Sequence, residues 1–182
     1  MTGYTIRKTR ENDRDRIIEI FNYYITHGFS AYPDAPVPAR FFDVLREGAH
    51  AFYTVGSDGI TVGFGIMKPF LPFGTFKRTA MVSYFILPGH TRSGAGTLLI
   101  SSFVSDAEQT GIAVLLASIS SKNHESLQFH KKQGFIECGR LKNVGYKFGE
   151  LFDVIWMERE LTDSSPERSP DTRQRRNNVA MV

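Results

Sequence analysis

The sequence predicts an α/β or α+β domain in which helices flank a mixed central sheet, and three features indicate this class. Apolar residues recur at helical spacing in residues 12–27 and 96–110. The run Ala113–Ile119 is apolar apart from Ser118, which is typical of a strand buried on both faces. Ser57-Asp58-Gly59 separates two strand-like runs and predicts a hairpin. Because strands and helices are interspersed along the chain, one mixed sheet is expected.

The first half of the chain predicts two helices followed by the hairpin. Ile17, Phe21, Tyr24 and Ile25 share one helical face, and His27-Gly28 ends that helix. We expect, in order, a strand at Tyr4–Lys8, a helix from Asn12 or Asp13, a loop over 31–36, a helix from Pro38 to Gly48, and strands at Ala51–Val55 and Ile60–Met67.

The second half alternates strands with helices before two final strands. Leu99, Phe103 and Ala107 form the apolar stripe of one helix. Cys138 falls in a predicted strand, where a small core residue is the usual occupant. We expect a loop over Lys68–Phe76, a strand at Thr79–Leu87, a helix over Gly96–Thr110, a strand at Ala113–Ile119, a helix over Asn123–Gln133, and strands at Ile136–Leu141 and Phe152–Met157.

Composition narrows the class of protein. With 41% hydrophobic and 23% charged residues in 182, we expect one globular domain over residues 1–161 and a disordered polar tail over 162–182. The single cysteine excludes an internal disulfide and a cysteine-based zinc cluster, and we expect no metal. A net charge of +3 without a concentrated basic face argues against nucleic-acid binding. No apolar run approaches the roughly 20 residues that span a bilayer, so we expect no membrane partner and a cytoplasmic protein.

Two polar signals follow predicted strands. The turn Arg92-Ser93-Gly94-Ala95-Gly96-Thr97 opens a helix, whose first N–H groups are unpaired and suit a phosphate. Asn123-His124-Glu125-Ser126 opens the next helix. A dinucleotide fingerprint would need a small residue where Leu99 stands, and a P-loop would need a lysine after Gly96. The glycines alone are more typical of a tight strand-to-helix turn without ligand, whereas the two signals together suggest a phosphorylated cofactor.

A resemblance to a known family covers Tyr4 to Leu161. The motifs that carry it are Ser83-Tyr84-Phe85-Ile86-Leu87-Pro88, the glycine turn, Asn123-x-x-Ser126-x-x-Phe129-His130-x-x-x-Gly134-Phe135, and Gly145-Tyr146-Lys147-Phe148-Gly149. These motifs resemble those of the GNAT acetyltransferases, in the phosphinothricin and methionine-sulfone acetyltransferase branch. The resemblance implies a mostly antiparallel sheet with a splay between its two central strands. It also implies direct acetyl transfer from acetyl-CoA to the primary amine of a small molecule, and a homodimer.

The resemblance also implies site residues. His130 stands where relatives place the residue that protonates the thiolate, so the resemblance implies a general acid or a neighbour of the sulfur. A helix histidine packed against the sheet is the more common role for such a residue. The implied acetyl-CoA-binding residues are Tyr84, Phe85, Ile86, Arg92, Ser93, Gly94, Ala95, Gly96, Thr97, Asn123, Ser126 and Lys132. The implied acceptor-binding residues are Gly74, Thr75, Phe76 and Tyr146.

The residue at position 81 departs from the family pattern, and this position takes part in proton transfer in the relatives. Relatives carry at position 81 a glutamate that accepts the ammonium proton, whereas this chain has Met81, which cannot accept a proton. Two alternatives therefore stand beside the small-molecule acetyltransferase. One is a catalytically weak protein that binds acetyl-CoA, and the other is a peptide N-terminal acetyltransferase.

Overall fold

The computed structural model describes residues 3–161, which form seven strands and four α-helices. The predicted polar tail, 162–182, lies outside the described residues. The strands are β1 (Tyr4–Lys8), β2 (Ala51–Ser57), β3 (Ile60–Pro69), β4 (Thr79–Ile86), β5 (Val114–Ser120), β6 (Ile136–Lys147) and β7 (Glu150–Glu160). The helices are α1 (Arg14–Thr26), α2 (Phe41–Arg46), α3 (Ala95–Thr110) and α4 (His124–Lys132), with 3-10 turns at Glu11–Asp13 and Gly74–Phe76.

All seven strands join one sheet in the order β1-β2-β3-β4-β5-β7-β6. Every neighbouring pair is antiparallel except β4 and β5, which run parallel. The predicted mixed, mostly antiparallel sheet is therefore confirmed. The parallel pair is joined through α3, since two parallel strands need a crossover connection.

Two hydrophobic clusters cover the two faces of this sheet. Helices α1 and α2 bury Ile17 and Phe42 against Phe64 on one face. Helices α3 and α4 pack on the other face, where Leu99 and Phe103 of the predicted stripe are fully buried. The alternation of side chains along β3 and β4 sends successive residues to opposite clusters.

The predicted splay lies between β4 and β5. These strands pair over only three residue positions, from Thr79 opposite Val114 to Met81 opposite Leu116. Beyond Met81, β4 stays paired with β3 as far as Ile86, while β5 continues beside β7 as far as Ser120. The two central strands therefore separate and leave one edge of each open.

The last two strands correct the sequence prediction. β6 runs to Lys147 and not to Leu141, so Tyr146 lies in a strand and not in a loop. The hairpin turns at Phe148-Gly149, where both residues have positive φ, 53° and 79°. Two-residue turns with this geometry suit the twist of a hairpin. Gly149 suits this geometry, but a phenylalanine rarely adopts positive φ, so Phe148 gives no signal of the turn.

Irregular pairing explains a second correction. Cys138 is exposed and not a core residue. The ladder between β6 and β7 shifts register between Glu137 and Gly139, so Cys138 has no partner on β7. A bulged residue leaves the strict inward–outward alternation of its strand. No helix among the described residues is long and apolar enough to cross a membrane.

Candidate active site

A cavity of about 1140 Å³ opens where β4 and β5 separate. Its floor is formed by residues 81–86 of β4 and 117–120 of β5. The start of α3 and one face of α4 wall one end, and α1, α2 and the loop 30–33 wall the other. The strand edges are unpaired here because the pairing of β4 with β5 ends at Met81 and Leu116.

The exposed edge of β4 offers backbone groups to a ligand. Tyr84, Phe85 and Ile86 line the cavity, and β3 pairs with them on the other side only. An extended ligand with amide groups could add to such an edge as a further strand would. The carbonyl of Ile86 accepts a hydrogen bond from the hydroxyl of Tyr24 in α1. Burial raises the pKa of the Tyr24 phenol to about 12, so it acts as a donor.

The glycine turn lies at the α3 end of the cavity. Gly94 precedes α3 with φ 93°, a conformation that favours glycine, and no side chain caps the helix. The first N–H groups of α3 are therefore open to an anion. A Cβ on Gly96 would lie 2.9 Å from the Phe129 ring, so glycine allows α3 to approach α4 this closely.

Asn123 holds the start of α4 and links it to a loop. Its Oδ1 accepts from the Ser126 N–H at 3.1 Å, which makes it the N-cap. Its Nδ2 donates to Ser30 Oγ at 2.8 Å. At the cavity mouth Arg92 and Glu125, both exposed, form a salt bridge of 2.9 Å between the glycine turn and α4. This exposed pair contributes little stability and opens easily for a stronger anion.

His130 is a buried member of a small polar cluster. Its Nδ1 lies 2.8 Å from the Ser126 carbonyl oxygen, and because a carbonyl only accepts, Nδ1 carries the proton. Its Nε2 then accepts from the Tyr84 hydroxyl at 3.0 Å. The Tyr84 ring stacks on the imidazole with centroids 5.3 Å apart.

Burial sets the protonation of this cluster. Desolvation lowers the pKa of His130 from 6.5 to about 4, although its bond to the Ser126 carbonyl opposes the change. Burial likewise raises the pKa of the Tyr84 phenol well above 10. Both groups are therefore neutral at pH 7, and His130 is an acceptor at Nε2 and not an imidazolium.

The opposite end of the cavity is mostly apolar with one cation. Met81 of β4 lies directly across from Lys68 of β3, and both line the cavity. The loop that closes this end is held by Lys147, whose buried ammonium donates to the carbonyls of Gly28 at 2.9 Å and Ala31 at 2.7 Å. The buried Lys147 thus ties the β6–β7 hairpin to the wall of the cavity.

Most of the predicted site residues meet in this cavity. Its lining includes His130 and the predicted acetyl-CoA-binding residues Tyr84, Phe85, Ile86, Arg92, Gly94, Gly96, Thr97, Asn123, Ser126 and Lys132. Ser93 and Ala95 belong to the same turn but are not among the lining residues. The predicted acceptor-binding residues are not among them either: Gly74, Thr75, Phe76 and Tyr146. Their role stays a prediction.

Tyr24 and Lys68 reach the cavity from a helix and a strand outside the sequence motifs. The sequence predicts Tyr24 only as part of an apolar stripe, yet its hydroxyl bonds the open strand. The sequence predicts Lys68 in a loop, yet it belongs to β3. A cation that ends the apolar strand run 60–67 is the one available signal for Lys68.

Known proteins are similar to this chain in sequence and in fold. The model of the acetyltransferase (GNAT) family matches residues 17–135. The chain is 27% identical over 163 residues to the L-amino acid N-acyltransferase MnaT of Escherichia coli K12, covering 87% of this chain and 95% of that one. It is 28% identical to the phosphinothricin N-acetyltransferase of Alcaligenes faecalis, covering 86% and 82%. The solved structure of Salmonella typhimurium yncA with its cofactor acetyl-CoA matches with a TM-score of 0.80 and 26% identity, covering 94% and 99%.

Proposed function

This chain belongs to the acetyltransferase (GNAT) family and is an acetyl-CoA-dependent N-acetyltransferase of small amines, and we propose that its acceptors are amino acids or analogues such as phosphinothricin and methionine sulfone. The observation that carries this proposal is the cavity at the splay, with an open strand edge on its floor and an uncapped helix start at one end. The relatives named for amino acids and for phosphinothricin support the class of acceptor.

The cavity residues fit acetyl-CoA. When bound, acetyl-CoA supplies the acetyl group as a thioester. The backbone of Tyr84 to Ile86 would bind its amide-bearing arm, and the start of α3 with Arg92 and Lys132 would hold its phosphates. No side chain caps the start of α3, so a phosphate can bind the first N–H groups of this helix without displacing a side chain.

Proton movement is confined to few groups in this cavity. The acceptor has to bind as a neutral amine, because Met81 accepts no proton. From that point transfer is proton-neutral, since the nitrogen loses one proton and the sulfur gains one. We propose that His130 lies beside the sulfur as a neutral imidazole, whose Nε2 accepts a hydrogen bond from the Tyr84 hydroxyl and so holds that hydroxyl in place at the cavity. The proton that the nitrogen loses is the one that the sulfur gains, so the transfer leaves both residues in their starting protonation states.

The acceptor class is tested by thiol release from acetyl-CoA with a panel of acceptors. We expect turnover with free amino acids, methionine sulfone or phosphinothricin, and none above background with short peptides. Calorimetric titration of CoA into the same samples separates the alternatives. Binding without turnover on any acceptor would favour the catalytically weak protein, and turnover confined to peptides would contradict the proposal in favour of peptide N-termini.

We propose in addition that the protein is a homodimer through the β6–β7 edge of the sheet. β6 is an edge strand, and this hairpin exposes an unusual number of apolar side chains, Leu141, Val144, Tyr146, Phe148 and Leu151. Apolar patches of this kind mark association surfaces. The predicted cytoplasmic location also stays a proposal, supported by the single free cysteine, Cys138.

Sedimentation velocity tests the dimer. We expect a dimer at micromolar concentration that Val144→Glu converts to a monomer, because a charge would be buried at the interface. Ile60→Glu is the matched control, since Ile60 is equally exposed but lies at the β2–β3 turn. A monomeric wild-type protein, or equal dissociation by both variants, would contradict the proposal.

A further inference from the structure

We infer that Lys68 binds the anionic group of the acceptor, so that this residue selects amines that carry a carboxylate or a comparable anion. The inference rests on the proposed function, because it assigns the acceptor end of the same cavity. It replaces the loop Gly74–Phe76, which does not line the cavity, as the place where the anion is held.

The register of the sheet places Lys68 at the reacting end. Lys68 pairs with Met81, the last residue of β4 that also pairs with β5, so it lies where the two central strands begin to separate. Directly opposite residues in antiparallel strands point to the same face. Ile66 and Phe64, alternate residues on β3, belong to the cluster under α1 and α2. Lys68 therefore faces the α1–α2 side, away from His130.

The hydrogen bonds of Lys68 leave capacity for a ligand. Its Nζ donates to the carbonyl of Val44 at 2.6 Å. An ammonium has three N–H donors, and no other bond or salt bridge of this group is found among residues 3–161. Val44 lies in α2, close to its C-terminal end. The bond therefore fixes the ammonium at the cavity wall while two N–H groups remain for an anion.

Lys68 is a cation at this position and has no salt-bridge partner among the described residues. Lys68 is half-buried, and desolvation lowers the pKa of its ammonium, while the charge of Glu47 raises it. The carboxyl end of α2 also favours a cation. A cation that is partly desolvated and has no salt bridge gains most when a ligand supplies the counter-charge. The surrounding lining includes the apolar side chains of Met81, Leu45 and Phe41.

The predicted consequence is a preference for acids over matched amides. Binding of N-acetyl-L-methionine and N-acetyl-L-methioninamide is measured by calorimetry with CoA present, so that no turnover is needed. We expect the wild-type protein to bind the acid about tenfold to a hundredfold more tightly, as a charge-assisted hydrogen bond provides. Lys68→Met should abolish the preference, and Lys68→Arg should keep most of it. Affinity for the amide should be the same in all three proteins.

Lys77→Met is the matched control, because Lys77 is an exposed lysine that does not line the cavity. It should behave as the wild type does. Retention of the acid preference in Lys68→Met, or its absence in the wild type, would overturn the inference. The outcome is separable from the proposed function: an acid preference without any thiol release would leave Lys68 assigned and contradict the proposed function. Turnover without an acid preference would support the proposed function and contradict the assignment of Lys68.

Discussion

Thiol release from acetyl-CoA with a primary amine should rise about a hundredfold between pH 7 and pH 9. An aliphatic ammonium has a pKa of about 10, so about one molecule in a thousand is neutral at pH 7 and about one in ten at pH 9. A glutamate at position 81 would flatten this dependence by accepting the proton, but Met81 stands there. Initial rates at subsaturating acceptor over pH 6.5–9.5 measure the slope, which should be close to tenfold per unit.

The effect of placing a glutamate at position 81 should depend on Lys68. Met81 lies opposite Lys68, so the new carboxylate in Met81→Glu would pair with the Lys68 ammonium. This ion pair would lower the pKa of the carboxyl group and make the carboxylate a weaker base. We therefore expect a small gain at pH 7 from Met81→Glu alone. The double variant with Lys68→Met should gain about tenfold or more at pH 7. The acceptor in this test is an aliphatic amine of pKa about 10 that carries no anion, so that anion binding plays no part.

The control for this series is Met81→Gln, which has a similar size and cannot serve as a base. Its pH profile should match that of the wild type. A wild-type rate that is flat from pH 7 to pH 9 would show that another residue accepts the ammonium proton. Equal gains from Met81→Glu with and without Lys68 would show that the two side chains do not interact.

Local patterns are sufficient for most of the fold. The stripe Leu99, Phe103 and Ala107 places α3 on the sheet because side chains at helical spacing must share one face. The sequence predictions are wrong where backbone geometry departs from a repeating pattern. The bulge at Cys138 and the positive φ of Phe148 are set by pairing between β6 and β7, and neither residue type indicates it.

The site residues differ in the same way, since some belong to contiguous motifs and others meet only in the fold. The glycine turn and the segment from Asn123 to His130 are each contiguous, so the order of residues alone is enough to identify them as motifs. The bond from Tyr24 to the Ile86 carbonyl and the pairing of Lys68 with Met81 join separate elements. Such contacts depend on strand register and helix docking, which one sequence does not specify. Residues that act across the cavity are therefore visible only in the fold.

His130 should make the protein less stable in mild acid, by about 2 kcal/mol between pH 7 and pH 5. The pKa of His130 is about 4 in the folded protein, against an ordinary value of 6.5. Between these values the unfolded chain binds a proton that the folded chain excludes, so stability falls as the pH falls from 6.5 towards 4. Urea unfolding at pH 7 and pH 5 measures the difference.

Protonation of carboxylates also changes the stability of the protein in acid. Comparison of two histidine variants separates the contribution of His130 from that of the carboxylates. His130→Gln should remove about 2 kcal/mol of the loss between pH 7 and pH 5, whatever its stability at pH 7. His124→Gln changes an exposed histidine on the same helix and should keep the full loss. If both variants lose stability in acid as the wild type does, the imidazole of His130 is protonated in the folded state at pH 5. The assignment of His130 as a neutral acceptor in the folded protein would then be wrong at that pH.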